Sequence, residues 1–181
     1  MIHRFSAAAA AVIALLLPAA SGAAAPATLP DAVPDWSSVD FLIGTWTCEA
    51  TFTARPGVKR SKAAFRYDFD RRWLREDITS PPFDQFRTRQ IDTVIYTTYS
   101  PYLKKWISTG LDNFGRFGTS RSDGWHGDTI VWEDDEQTSG ARAAESLTRV
   151  DATHTRDVFR MRNADGTLQA PSAVQTCAKD R

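Results

Sequence analysis

Cysteine, histidine and long apolar runs are all scarce in this sequence, and each scarcity excludes something. The 181 residues include two cysteines, Cys48 and Cys177, 129 positions apart and with no Cys-x-x-Cys between them. That spacing excludes a cysteine redox motif and a thiolate metal cluster. Beyond His3 the histidines are His126 and His154, in different segments. Two such ligands do not make a zinc site, which takes three or four, so no metal is expected. Gly-x-Ser-x-Gly, a phosphate-binding glycine loop and a paired-histidine motif are all missing, so no catalytic residue is assigned and an enzyme has no support. Charge of one sign is missing too: 22 Lys and Arg balance 22 Asp and Glu. This gives no basic surface for nucleic acid or anionic lipid. After the N-terminus no apolar run approaches the roughly 20 residues of a membrane span.

The N-terminus has a pattern of its own. Arg4 precedes an apolar run from Ala7 to Leu17, and small residues from Ser21 to Ala25 follow. These are the three parts of a secretory signal peptide. Pro26 disfavours a cut after Ala25, so residues 1–24 are read as the signal peptide, cut after Ala23 or Ala24. Residues 25–35 form a proline-rich linker, and 36–181 one domain. Losing Arg4 leaves a net charge of −1, from 21 basic against 22 acidic residues. The expected location is periplasmic or secreted. In an oxidising compartment an even pair of cysteines reads as a disulfide, Cys48–Cys177.

From Gly44 onward the dominant period is two. In "TWTCEATFT" Trp46, Cys48, Ala50 and Phe52 share one face, and Thr45, Thr47, Glu49, Thr51 and Thr53 the other. This is a half-buried strand. Before it, Ser37 or Ser38 is placed to cap a short helical turn carrying Trp36, Phe41 and Leu42. "RPGVKR" reads as a turn, then Phe65, Tyr67 and Phe69 alternate on one face. Asp70–Arg71 tightly connects this strand to "RWLREDIT", whose interleaved charges read as a solvated face. Pro81–Pro82 mark a loop. "IDTVIYTTY" and "WISTGL" are strands joined at "SPYLKK". "DNFGRFG" and "SRSDG" read as bends, "WHGDTIVWED" and "ARAAESLTRV" as strands, and "ADGT" as a hairpin turn between "TRDVFRMRN" and "SAVQTCAK". About nine short strands without helical periodicity make an all-β protein. The terminal strands carry the two cysteines, which favours a small antiparallel up-and-down β-barrel closed by its first and last strands.

A short helical turn followed by Gly44-Thr45-Trp46 resembles the Gly-x-Trp signature of lipocalins and wider calycin-type barrels. The stretch "TYSPYLKKWISTGLDNFGRFGTSRSDGWHGDTIVWED", with "DVFRMRNADG" near the end, resembles a bacterial lipocalin-like family of unknown function, over roughly residues 38–178. That resemblance implies a calycin-type barrel with Trp46 in its core. Lipocalins also place an arginine of the last strand over the signature tryptophan, and no arginine here is assigned to that role.

Three functions follow from such a barrel. The first is binding of a small apolar ligand in a pocket walled by Phe65, Tyr67, Phe69, Trp73, Tyr99 and Trp106, whose rings give apolar contact and whose phenols orient a polar end. The second is a barrel filled by its six tryptophans that acts through its surface, as a structural or partner-binding envelope protein. The third is a haem barrel, with His126 or His154 as axial ligand, or an enzyme. No cofactor is predicted; haem is the one the resemblance brings into view. "WEDDE" at 132–136 is read as a strand end in solvent rather than a calcium or acid–base site.

Overall fold

The computed structural model describes residues 33–83, 88–138 and 140–181. The signal peptide and most of the linker read from the sequence, 1–32, lie outside them. The strands are β1 (Gly44–Phe52), β2 (Arg55–Asp68), β3 (Trp73–Ser80), β4 (Ile91–Ser100), β5 (Lys105–Asp112), β6 (Phe117–Ser122), β7 (Trp125–His126), β8 (Thr129–Gln137), β9 (Ala143–Arg149), β10 (His154–Arg162) and β11 (Leu168–Lys179). Each pairs antiparallel with its chain neighbour, with two exceptions that close the structure. β1 pairs with β11, and β6 pairs with β8, so that ten strands form a closed barrel and the two-residue β7 folds back on β8.

The expected nine strands become eleven, ten of them in the barrel, because "WHGDTIVWED" divides into β7 and β8 and because Phe117–Ser122 is a strand rather than part of two bends. Its Gly118 and serines have poor strand propensity, and it is held instead by full ladders to β5 and β8. "RPGVKR" is likewise inside β2. The hairpin turns at Thr53–Ala54, and Pro56 and Gly57 (φ 99°) sit in a register shift where Phe52 pairs with Arg55 and Thr51 with Val58. A bulge is one of the few places where a strand tolerates proline.

Cys48 and Cys177 face each other in the β1–β11 register and form a disulfide. On either side of that seam the inward period-two positions are Trp46, Cys48 and Ala50 on β1 and Ala173 and Cys177 on β11, all buried.

One end of the barrel is plugged by the segment before β1. It contains a single 3-10 turn, Asp40–Leu42, preceded by Val39 with no side-chain cap; Ser37 instead donates its backbone N–H to Asp35. Trp36, Val39 and Leu42 are buried against Trp46, Leu74 and Trp106. Two indole N–H groups pin the plug: Trp46 Nε1 donates to the Leu42 carbonyl at 2.7 Å, and Trp36 Nε1 to the Arg71 carbonyl at 2.6 Å. Lys179 of β11 completes it. Its Nζ donates to the Phe41 carbonyl at 2.8 Å and lies 5.6 Å from the centre of the Trp46 ring. The last strand thus places a lysine, not an arginine, over the signature tryptophan.

Candidate functional site

Below the plug the barrel holds a cavity of about 130 Å³. For scale, an engineered cavity of roughly 150 Å³ accepts benzene. Four tryptophans, Trp46, Trp106, Trp125 and Trp132, wall it together with Phe65, Leu74, Ile95 and Leu147. At the far end, Ile95, Ser108, Ser120 and Glu145 also border a second, more open recess of about 390 Å³. That recess is rimmed by Gly110, Asp112, Arg116, Phe117 and Gln137. One end is therefore closed by the Trp36–Leu42 plug, and the other leads outward between β4–β6 and β8–β9.

The cavity wall also carries three carboxyl groups, Glu76 on β3, Glu145 on β9 and Asp157 on β10. Strand parity puts each of them inside. Glu76 is in phase with Leu74 and Ile78, Glu145 with Leu147, and Asp157 with Thr155. In the ring of ten strands β3 and β9 are five steps apart in either direction, so Glu76 faces Glu145 across the lumen. Asp157 is 4% exposed and accepts a hydrogen bond from the Gln175 amide at 3.2 Å. Glu76 and Glu145 have no hydrogen-bond or ion-pair partner among the described residues, and the surface they retain borders the lumen.

Burial without a counter-ion disfavours the charged form. It pushes the Glu76 carboxyl up to about 8, with the negative charges of Asp157 and Asp77 adding to the effect. It raises Asp157 to about 7, against the opposing hydrogen bond from Gln175 and the charge of Arg156. It raises Glu145 well above the carboxylate range, with Asp157, Glu76 and Asp134 reinforcing the shift. None of the residues lining the cavity is basic. At the open recess Arg116 is held by Asp112, its Nη2 2.6 Å from a carboxylate oxygen. Asp134 of the "WEDDE" stretch is half-buried there rather than in solvent. It accepts the Ala143 backbone N–H at 2.8 Å, and burial raises its pKa. The Trp125 Nε1 is buried with no acceptor among the described residues.

The residues expected from the sequence to bind ligand are distributed more widely. Phe65 and Trp106 are on the cavity wall. Tyr67 belongs to the plug, where its ring meets Trp36 at 5.4 Å and its hydroxyl donates to Asp40. Phe69 does not share the face of Phe65 and Tyr67. It has left β2, adopts φ 47° in the β2–β3 turn, and is 62% exposed. Trp73 is on the outer face of β3, edge-on to Tyr96. Tyr99 lies at the plugged rim, edge-on to Trp106 and partly exposed. His126 and His154 are both exposed and away from the cavity, and His126 does not share a face with the buried Ile130, because Gly127 and Asp128 turn the chain between them. Two of the carboxyl groups escaped the sequence reading because they stand beside charges, Glu76 between Arg75 and Asp77 and Asp157 after Arg156, and Glu145 escaped it as a lone acid between Ala144 and Ser146. The signal that identifies them is their phase with apolar inward residues two positions away.

A closed antiparallel barrel with a short helical plug, a Gly-x-Trp strand and a basic side chain over that tryptophan is a calycin-like barrel. No family model matches the chain, and no curated protein does. Among solved structures the fold is similar to the S-type phycobiliprotein lyase CPES from Guillardia theta, with a TM-score of 0.50 and 12% identity over 78% of this chain and 89% of that one. A redesigned β-barrel also matches, with a TM-score of 0.41 and 14% identity over 78% of this chain and 93% of that one.

Proposed function

We propose that this protein binds one small organic molecule inside the barrel, with an aromatic or apolar body against the tryptophans and a polar group toward the carboxyls. The observation that carries this reading is the pair of unpartnered carboxyl groups, Glu76 and Glu145, turned into a tryptophan-walled cavity. A filled structural barrel has no use for them, because a buried polar group without a partner costs about 1–3 kcal/mol, and more when charged. The similarity to a phycobiliprotein lyase adds an enzyme-named protein built on a barrel of the same fold. We further infer that residues 1–24 direct the chain out of the cytosol, to the periplasm or medium, where the Cys48–Cys177 bond is stable.

Tryptophan emission tests cavity binding directly. Titration with 2-phenylethanol, a neutral one-ring probe, should shift the emission. Ser108→Trp, which sets an indole into the cavity, should abolish the response while leaving the far-UV spectrum unchanged. A response that survives Ser108→Trp removes the cavity as the binding site.

A further inference from the structure

We propose, building on the ligand-binding reading above, that the molecule held in the barrel is a cation, a compact organic ammonium whose N–H groups are shared by Glu76 and Glu145 from opposite walls. The arrangement of the walls leads there. Glu76 and Glu145 stand on strands half a barrel apart, so anything filling the lumen lies between them. Asp157 adds a third acceptor beside Glu145. The two are diagonal neighbours on adjacent strands, since Glu145 pairs with Phe159 and Asp157 with Leu147. A primary ammonium has three N–H donors and no acceptor, which matches three carboxyl groups. Charge-assisted hydrogen bonds of this kind are about twice as strong as neutral ones.

Among the described residues none supplies such a cation. The cavity wall has no Lys, Arg or His. Lys179 is turned toward the Phe41 carbonyl at the plug, and Arg116 at the open recess is engaged by Asp112. Arg75 is on the outer face, bound to Asp77 at 2.7 Å. Two further features fit a positive ligand and would be wasted on a negative one. Indole faces attract a cation within about 6 Å of the ring centre, and four indoles line the cavity. The open recess adds Asp134 to the acidic lining on the way to Glu145, and with Arg116 there neutralised by Asp112 the net acidic path raises the local concentration of cations. The cavity accepts about one ring, so the predicted class is a small aryl- or alkyl-amine rather than a polyamine or a peptide.

Three one-ring probes of similar size separate the charges: 2-phenylethylamine, 2-phenylethanol and 3-phenylpropionate. Calorimetric titration of the full chain at pH 7.5 should give the amine at least a ten-fold lower Kd than the alcohol, with no detectable binding of the propionate. Repeating the amine titration in two buffers of different ionisation enthalpy should reveal protons released to the buffer, because carboxyl groups that were protonated ionise as the ammonium binds. The alcohol should release none. Glu145→Gln and Glu76→Gln should each weaken the amine ten-fold or more and narrow the gap between amine and alcohol, since a neutral amide serves a hydroxyl better than an ammonium. A far-UV spectrum matching wild type reports that each variant is folded. Equal affinity for amine and alcohol, or tightest binding of the propionate, overturns the cationic class and leaves cavity binding standing. Failure of the alcohol and the amine alike in the wild-type protein overturns the ligand-binding reading itself.

Discussion

Gly44 explains at the scale of single residues why the Gly-x-Trp pattern takes the form it does. Its φ is 123°, a conformation that side chains disfavour, and a Cβ there would come within 3.1 Å of the Lys179 stem. The same stem carries the ammonium that covers Trp46, which is 1% exposed. Gly44→Ala should therefore cost about 1–2 kcal/mol through backbone strain and a displaced lysine, and Trp46→Ala about 3–5 kcal/mol through lost packing. Urea midpoints test both, and an unchanged midpoint for either would contradict this packing. The interior carboxyls make a pH prediction with a definite sign. Glu76 ordinarily titrates at 4.5, as it does in the unfolded chain, but at about 8 when folded. Between those values the unfolded state gives up a proton that the native state keeps, so stability falls as pH rises through that window. Glu76→Gln keeps the shape without the charge. Its urea midpoint at pH 8 should exceed wild type by the equivalent of about 1–3 kcal/mol, and the two should nearly coincide at pH 4.5. A variant less stable than wild type at pH 8 would show that Glu76 is usefully charged in the free protein.

Single elements show where sequence periodicity succeeds and where it is blind. The β1 alternation, the Pro81–Pro82 break, the turn between β4 and β5 and the hairpin ending at β11 are all visible, because side-chain parity or turn residues encode them. β6 is invisible: six residues with a glycine and three hydroxyl side chains owe their strand geometry to the ladders on both sides. Of the cavity wall, Phe65 is legible from aromatic alternation and Trp106 from its place beside the β4–β5 turn. The acidic half is not, since a charge pattern read locally assigns Glu76 to solvent with its neighbours. The β2–β3 turn is a further case. Phe69, Asp70 and Arg71 all take positive φ without a glycine among them. The turn is held from outside, by the Trp36 indole on the Arg71 carbonyl and by the Arg71 guanidinium 4.3 Å from the Tyr67 ring centre. Phe69→Gly relieves the first of these residues and removes an exposed ring, so it should raise stability by about 0.5–1 kcal/mol and leave probe binding unchanged. Loss of binding in Phe69→Gly would show that this turn, outside the cavity, still shapes it.

For the whole molecule the decisive contact is the seam between β1 and β11, seven residue pairs that turn an open sheet into a barrel. Without it both strands would be edges, free to pair with other chains. The disulfide stands third in that seam and joins residues 129 apart. Limiting the unfolded chain this way is worth about 4–5 kcal/mol in the loop-entropy model. Thiol titration of the unfolded, unreduced protein should find no free thiol, and reduction should lower the urea midpoint at every pH. Two free thiols would mean that hydrogen bonds alone hold the seam.

The position of that bond also sets how the molecule answers to mechanical force. β1 begins and β11 ends at the same rim, so tension on the two chain ends peels the seam open like a zip, one residue pair at a time, starting from Trp46 and Lys179. Peeling stops at Cys48 and Cys177, two pairs later. The strands and carboxyls between them are shielded from the pull, whereas the Trp36–Leu42 plug and Trp46 precede Cys48 and are drawn out with the N-terminal tail. In a single-molecule stretching experiment the oxidised protein should lengthen only by its tails, whereas the reduced protein should release the 129-residue span, roughly 430–460 Å of extended chain. Force on the oxidised protein would therefore uncap a bound guest while leaving its carboxyl partners in place, and only reduction would let the pull dismantle the wall itself.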